Sequence, residues 1–173
     1  MSRNSSLIFL LLYSFAAQAE VNDTETKRTF FTTKAPCKLS APKANFFISK
    51  EQIKPDGTTV YYNLTNEQQY INFSFYLDTL AVECKSGKAC LDAAIKNPAY
   101  EKAKNLKIYD HSGFSVAEFS IEVPYEKTTI KQLNIVAEKY KNGCWADIHI
   151  SQVSESLPQV EPLLGILESL SIE

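Results

Sequence analysis

Ile130 to Val153 reads IKQLNIVAEKYKNGCWADIHISQV. At its centre Asn142-Gly143 is a strong signal for a two-residue hairpin, because both residues accept positive φ at low cost. The arm after the turn, Cys144 to Val153, alternates: Ala146, Ile148 and Ile150 share one face, and Trp145, Asp147, His149 and Ser151 share the other. The arm before it, Ile130 to Tyr140, suits a long strand, although its spacing partly allows a helix. A hairpin with one apolar and one polar face belongs to an antiparallel sheet covered on one side.

Working outward, the pattern repeats. Tyr70 to Leu77 places Ile71, Phe73, Phe75 and Leu77 on one face, and Thr58 to Leu64 is β-branched and aromatic. Lys54-Pro55-Asp56-Gly57 is a turn signal. Asn45 to Ser49, Leu106 to Tyr109 and Phe114 to Val123 are further strands, and Asp110-His111-Ser112-Gly113 is a turn between the last two. Lys88 to Ile95 reads as helix, interrupted at Asn97-Pro98. After Pro158, the residues Val160, Leu163, Leu164, Leu167 and Leu170 form one apolar stripe. The expectation is an α+β fold: a twisted antiparallel sheet with two helices packed on one face.

The start of the chain has the layout of a secretory signal peptide: Arg3, the apolar run Leu7 to Ala17, then Ala17-Gln18-Ala19. As a helix that run rises only about 16 Å, well short of a hydrocarbon core of about 30 Å. Cleavage is expected after Ala19. The organisation that follows is a signal peptide over 1–19, a polar, Thr-rich flexible arm over 20–36 and a single domain over 37–173. No later stretch reads as a membrane span, so the expected location is the periplasm or the exterior.

Four cysteines remain after the signal: Cys37, Cys84, Cys90 and Cys144. In an oxidising compartment an even number suggests two disulfides, with three pairings possible. Cys84–Cys90 is favoured because the loop between them is short and contains Gly87, which leaves Cys37–Cys144. The spacing does not resemble a zinc site.

The block from Ile130 through Leu163-Leu164-Gly165-Ile166-Leu167-Glu168-Ser169-Leu170-Ser171-Ile172 resembles the ending of PsbP/Mog1/DcrB-like domains. Those close with a strand, a helix and a Ser-Phe-x-Ile-like tail, and here Leu170 stands in place of Phe. The resemblance covers about a quarter of the chain. It implies a sheet-and-helix sandwich acting as a binding or accessory module, and a fold alone would not fix function.

The charge is nearly balanced, with 18 basic and 20 acidic residues, which argues against a dedicated nucleic-acid binder. With five glycines there is little room for a phosphate or dinucleotide cradle, so no cofactor is expected. The most suggestive constellation is Trp145, Asp147, His149 and Ser151, a polar stripe carrying the only Trp. Tyr61, Tyr70 and Tyr76 extend it as a contact patch, since Tyr is favoured at interfaces. Solvent-facing strand and cross-strand packing are the plain alternatives. A hydrolase using His149 with Asp147, or with Ser112, has no nucleophile elbow behind it. Cys144 faces away from His149. Asn22, Asn63 and Asn72 match glycosylation acceptors and are read as chance in a bacterial-looking export sequence. The reading is a non-enzymatic binding protein, most concretely an inhibitor or immunity-type protein whose partner is another protein in the same compartment. The alternative is a small-ligand or envelope accessory module.

Overall fold

The computed structural model describes residues 20–31, 37–43, 45–79 and 84–173. The expected signal peptide and its cleavage site lie outside these residues. Two antiparallel sheets make the frame. The smaller has four strands in the order β1 (Glu20–Asp23), β2 (Lys27–Phe31), β3 (Lys38–Pro42) and β11 (Ser171–Ile172). The larger is a curled half-barrel of seven. It comprises β4 (Phe47–Ile53), β5 (Thr59–Asn66), β6 (Ile71–Asp78), β7 (Lys104–His111), β8 (Phe114–Tyr125), β9 (Thr128–Lys141) and β10 (Cys144–Ser154). Their spatial order is β4-β5-β6-β10-β9-β8-β7.

This corrects the expected α+β class. Of the described residues 58% are strand and 14% helix. Among the described residues only α1 (Gly87–Ala94) and α2 (Glu161–Ser169) are α-helical, with a short 3-10 turn at Pro98–Tyr100. Nor do the helices share a face. α2 buries Leu163 and Leu167 in the main core with Ile148 and Ile150, whereas α1 buries Leu91 against Ala117, Phe119 and Val136. Because side chains alternate along β8 and β9, those last three point away from Val116, Ile135 and Ala137 of the main core. The chief lid of the main core is therefore the small sheet. Its Phe30, Leu39, Ala41 and Ile172 are buried, and the ring of Phe30 sits 4.6 Å from Tyr62 and 4.9 Å from Phe75.

The stretch expected as a flexible arm contains, over its described residues 20–31, the hairpin β1–β2. Its polar, Thr-rich sequence suits strands that give one face to water, and only Phe30 is fully committed to the core. β11 completes this sheet: Lys38 N–H donates to Glu173 O (2.8 Å) and Glu173 N–H to Lys38 O (3.1 Å).

Ile130 to Tyr140 is strand throughout. The helix-like spacing arises because Leu133 to Ala137 and Glu138 are buried on both faces, by the main core on one side and under α1 on the other. A strand covered on both sides loses its period-two signature. Asn142 (φ 54°) and Gly143 (φ 80°) form the expected tight turn, and Lys141 pairs with Cys144 across it. Ser112 (φ 52°) and Gly113 (φ 76°) do the same between β7 and β8.

Cys37 is bonded to Cys144, and Cys84 to Cys90. The first bond ties the small sheet to the start of β10. The second fastens the loop before α1 to the helix itself, where Ser86 accepts from Ala89 N–H as the N-cap.

Candidate functional site

The register of the large sheet decides which polar side chains meet. On its outer face, away from the small sheet, four strands lie side by side: β5, β6, β10 and β9. Cross-strand partners fall into rows. One row runs Asn63, Ser74, His149, Val136, and the next runs Thr65, Asn72, Ser151, Asn134. A third runs Tyr61, Tyr76, Asp147, Glu138. The last runs Thr59, Asp78, Trp145, Tyr140.

The first two rows floor a groove of about 880 Å³. Tyr61 stands at one end, its ring 4.6 Å from Tyr76, and Tyr70 at the other. Tyr70 is 69% exposed and has φ of 53°, a region a bulky residue rarely enters. Its backbone is held there by Val153 N–H donating to Tyr70 O (3.3 Å) and by Gln152 Nε2 donating to Gln69 O (3.0 Å). A second cavity of about 440 Å³, lined by Tyr125, Ile130, Ser154 and Glu155, shares Tyr70 and Val153 with the groove.

Inside the groove His149 is held by amides. Asn134 Oδ1 accepts from Gln132 Nε2 at 2.8 Å and lies 3.0 Å from His149 Nε2. With that oxygen as acceptor, Nε2 carries the ring proton and Nδ1 is left with its lone pair. Burial lowers the His149 pKa, so the ring is neutral near pH 7. Asn63 Oδ1 is buried and has no hydrogen-bond partner among the described residues.

The third row contains a buried carboxyl pair. Glu138 is 1% exposed, and its Oε2 accepts from Trp145 Nε1–H at 2.6 Å. Burial, and then the facing Asp147, push its pKa far above the carboxylate range, with the Trp145 bond opposing them. Burial raises Asp147 as well. Removed from water and facing one another, the two carboxyls resist carrying two negative charges, so both are raised above the ordinary carboxylate range. Tyr100, packed edge-on against Phe119, closes over this row. Burial raises its phenol, with the carboxylates of Asp147 and Glu138 adding to the effect. Gly87 at the start of α1 fits because a Cβ there would stand 2.5 Å from Glu138 O.

Trp145, Asp147, His149 and Ser151 thus do share one face, but in two separate settings. His149 and Ser151 line the groove. Trp145 and Asp147 belong to the carboxyl pair. No hydrogen bond joins Asp147 to His149 among the described residues, and His111, beside Ser112, instead meets Glu168 of α2 at 2.9 Å. Tyr61 and Tyr70 line the groove, while Tyr76 lies beside it, its ring packed at a 40° tilt against that of Tyr61.

Sequence reasoning missed Glu138, Asn134, Gln132, Asn63, Asn72 and Ser74 as site residues. The signal was present. Counting back three residues from Lys141 and forward three from Cys144 pairs Glu138 with Asp147. Among the described residues no group of three or more His, Cys, Asp or Glu is placed to hold a metal ion. No helix among them is long and apolar enough to cross a membrane.

No family model and no curated protein matches the sequence. A solved structure of a protein from Bacteroides thetaiotaomicron, whose description names no function, is similar to this chain with a TM-score of 0.52 and 10% identity. The match covers 87% of this chain and 49% of that one, so this chain spans about half that protein's length. At that identity the likeness speaks for the fold alone.

Proposed function

We propose that this is an exported, non-catalytic binding protein, processed after Ala19, that receives a small or narrow ligand in the groove floored by β5, β6, β10 and β9. The observation that carries this reading is a recess of about 880 Å³ floored by converging amide and hydroxyl side chains from four adjacent strands. Binding sites are concave, with a few polar groups placed to orient the ligand. The two disulfides and the opening sequence support export to an oxidising compartment.

A receiving site is favoured over an inhibitory surface inserted into another protein. Insertion needs a projecting anchor, and the only Trp is partly buried and hydrogen-bonded to Glu138. The test is native mass spectrometry of the processed protein purified from its own envelope or culture fluid, without reductant. The expected result is a small molecule released on denaturation and no stoichiometric protein partner. A stoichiometric protein whose binding is lost with Trp145→Ala, at unchanged melting temperature, would overturn this reading in favour of an inhibitor.

A further inference from the structure

We propose that the ligand is a neutral oligosaccharide, lying along the groove and over Tyr70 into the Tyr125 cavity. This rests on the groove being the binding site.

No Lys or Arg lines the groove and His149 is neutral. Lys50 of β4, beside Asn63 on the same face, is exposed and engaged over the Tyr61 ring, 5.8 Å from its centroid. An anionic ligand would be desolvated without a counter-charge, which is costly. The carboxylates lining the groove and its continuation are those of Glu67 and Glu155, both exposed, and an exposed pairing with a cation is worth little. An uncharged ligand is left.

The polar groups match hydroxyls. Asn63, Asn72 and Gln132 present amides, Ser74 and Ser151 present hydroxyls, and His149 Nδ1 offers an acceptor. Amides and hydroxyls both donate and accept, as sugar hydroxyls do. A peptide is recognised most readily by strand addition at a sheet edge. Here the floor is the middle of the sheet. Every strand of it is paired on both sides, so the backbone is used up and side chains do the reading.

The aromatic groups supply the remaining contact. Tyr61 at one end, Tyr70 between the two cavities and Tyr125 beyond (58% exposed) present flat apolar faces with polar tips. Such faces suit the C–H faces of sugar rings. Tyr70 keeps its ring in water on a positive φ, and strain of that kind gathers at binding sites. The groove alone is near the upper end of the range for one drug-sized ligand. Its continuation past Tyr70 indicates a chain of several units.

The experiment is titration of the isotope-labelled, processed protein with neutral hexasaccharides (malto-, cello-, chito-, xylo- and mannohexaose), their monosaccharides and a hexagalacturonate control. Amide NMR and calorimetry are the readouts. At least one neutral hexasaccharide should bind ten-fold or more tighter than its monosaccharide, shifting Asn72, His149 and Ser151 together with Tyr125 and Ser154. Tyr70→Gly removes the ring and relieves the backbone, so it should fold and lose ten-fold or more in affinity. Tyr125→Ala gives a second variant with the same expectation. The inference is overturned if no neutral hexasaccharide moves groove resonances, if hexagalacturonate binds more tightly, or if both variants bind unchanged. If a co-purified molecule of another class occupies the groove, this inference falls and the binding-protein reading stands. If nothing moves the groove and a partner binds elsewhere, both fall.

Discussion

β10 carries two sites of opposite character one residue apart. On its inner face Cys144, Ala146, Ile148 and Ile150 are at most 2% exposed and packed beneath the small sheet. On its outer face Trp145, Asp147, His149 and Ser151 are equally ordered by the same backbone, yet sit among amides and carboxyls. Apolar burial on the inner face stabilises the fold. The buried carboxyl pair on the outer face opposes it, because charge there is desolvated.

The contrast can be tested from its strongest side. Removing the Cys37–Cys144 bond as a double alanine variant should cost about 4–5 kcal/mol by the loop-entropy argument, read by urea denaturation. Ile148→Ala should cost about 3 kcal/mol on the same assay. If Asn72→Ala costs as much as Ile148→Ala, the division between the faces is wrong.

Trp145→Phe should cost about 1–3 kcal/mol, since it leaves the buried Glu138 Oε2 without its donor. The pair should also make stability pH-dependent in a definite direction. Glu138 and Asp147 have raised pKa values in the fold, so each favours the native state while protonated. Their contribution is complete below about pH 4, the ordinary carboxylate range. It is lost as pH rises through about 6 for Asp147 and about 9 for Glu138. Glu138→Gln should flatten that slope and raise the melting temperature at pH 8 by about 3 °C, the shift that about 1 kcal/mol produces in a domain of this size. A steeper slope in the variant would break the account.

The smallest effects belong to the groove. Asn72→Ala and Ser74→Ala should change stability by no more than about 0.5 kcal/mol, while weakening whatever ligand the groove holds. Calorimetry on the two variants checks both halves.

The sequence made the inner face easier to read than the outer one. Alternation along β10 and the Asn142-Gly143 turn made its pairing with β9 and its buried set legible, while the Cys37–Cys144 bond was legible only as the remainder once the short loop favoured Cys84–Cys90. β9 was ambiguous because double burial erased the alternation that would have set Asn134 and Glu138 apart. Both helices were visible near their observed places, but apolar stripes do not say which face of a sheet they meet, and α1 and α2 meet opposite ones. The small sheet was missed because β1 and β2 bury little beyond Phe30. Its closing partner β11 lies at the far end of the sequence, where two residues give no strand signal. The groove was half visible: the stripe on β10 was evident, but its floor needs the non-local β6–β10 register, which no local pattern encodes.

That β6–β10 pairing has a kinetic consequence. β4-β5-β6 and β7-β8-β9-β10 are two meanders of consecutive strands, each closed by local turns. Within the described sheet they are joined by the β6–β10 ladder, from Asp78 opposite Trp145 to Ile71 opposite Gln152, contacts distant in sequence and slow to form. The groove lies across this late junction, with Asn63, Asn72 and Ser74 on one bank and His149, Ser151 and Gln132 on the other. A ligand bridging the two banks binds only the assembled junction and not the separate meanders, so it should stabilise the folded protein by an amount that rises with its free concentration.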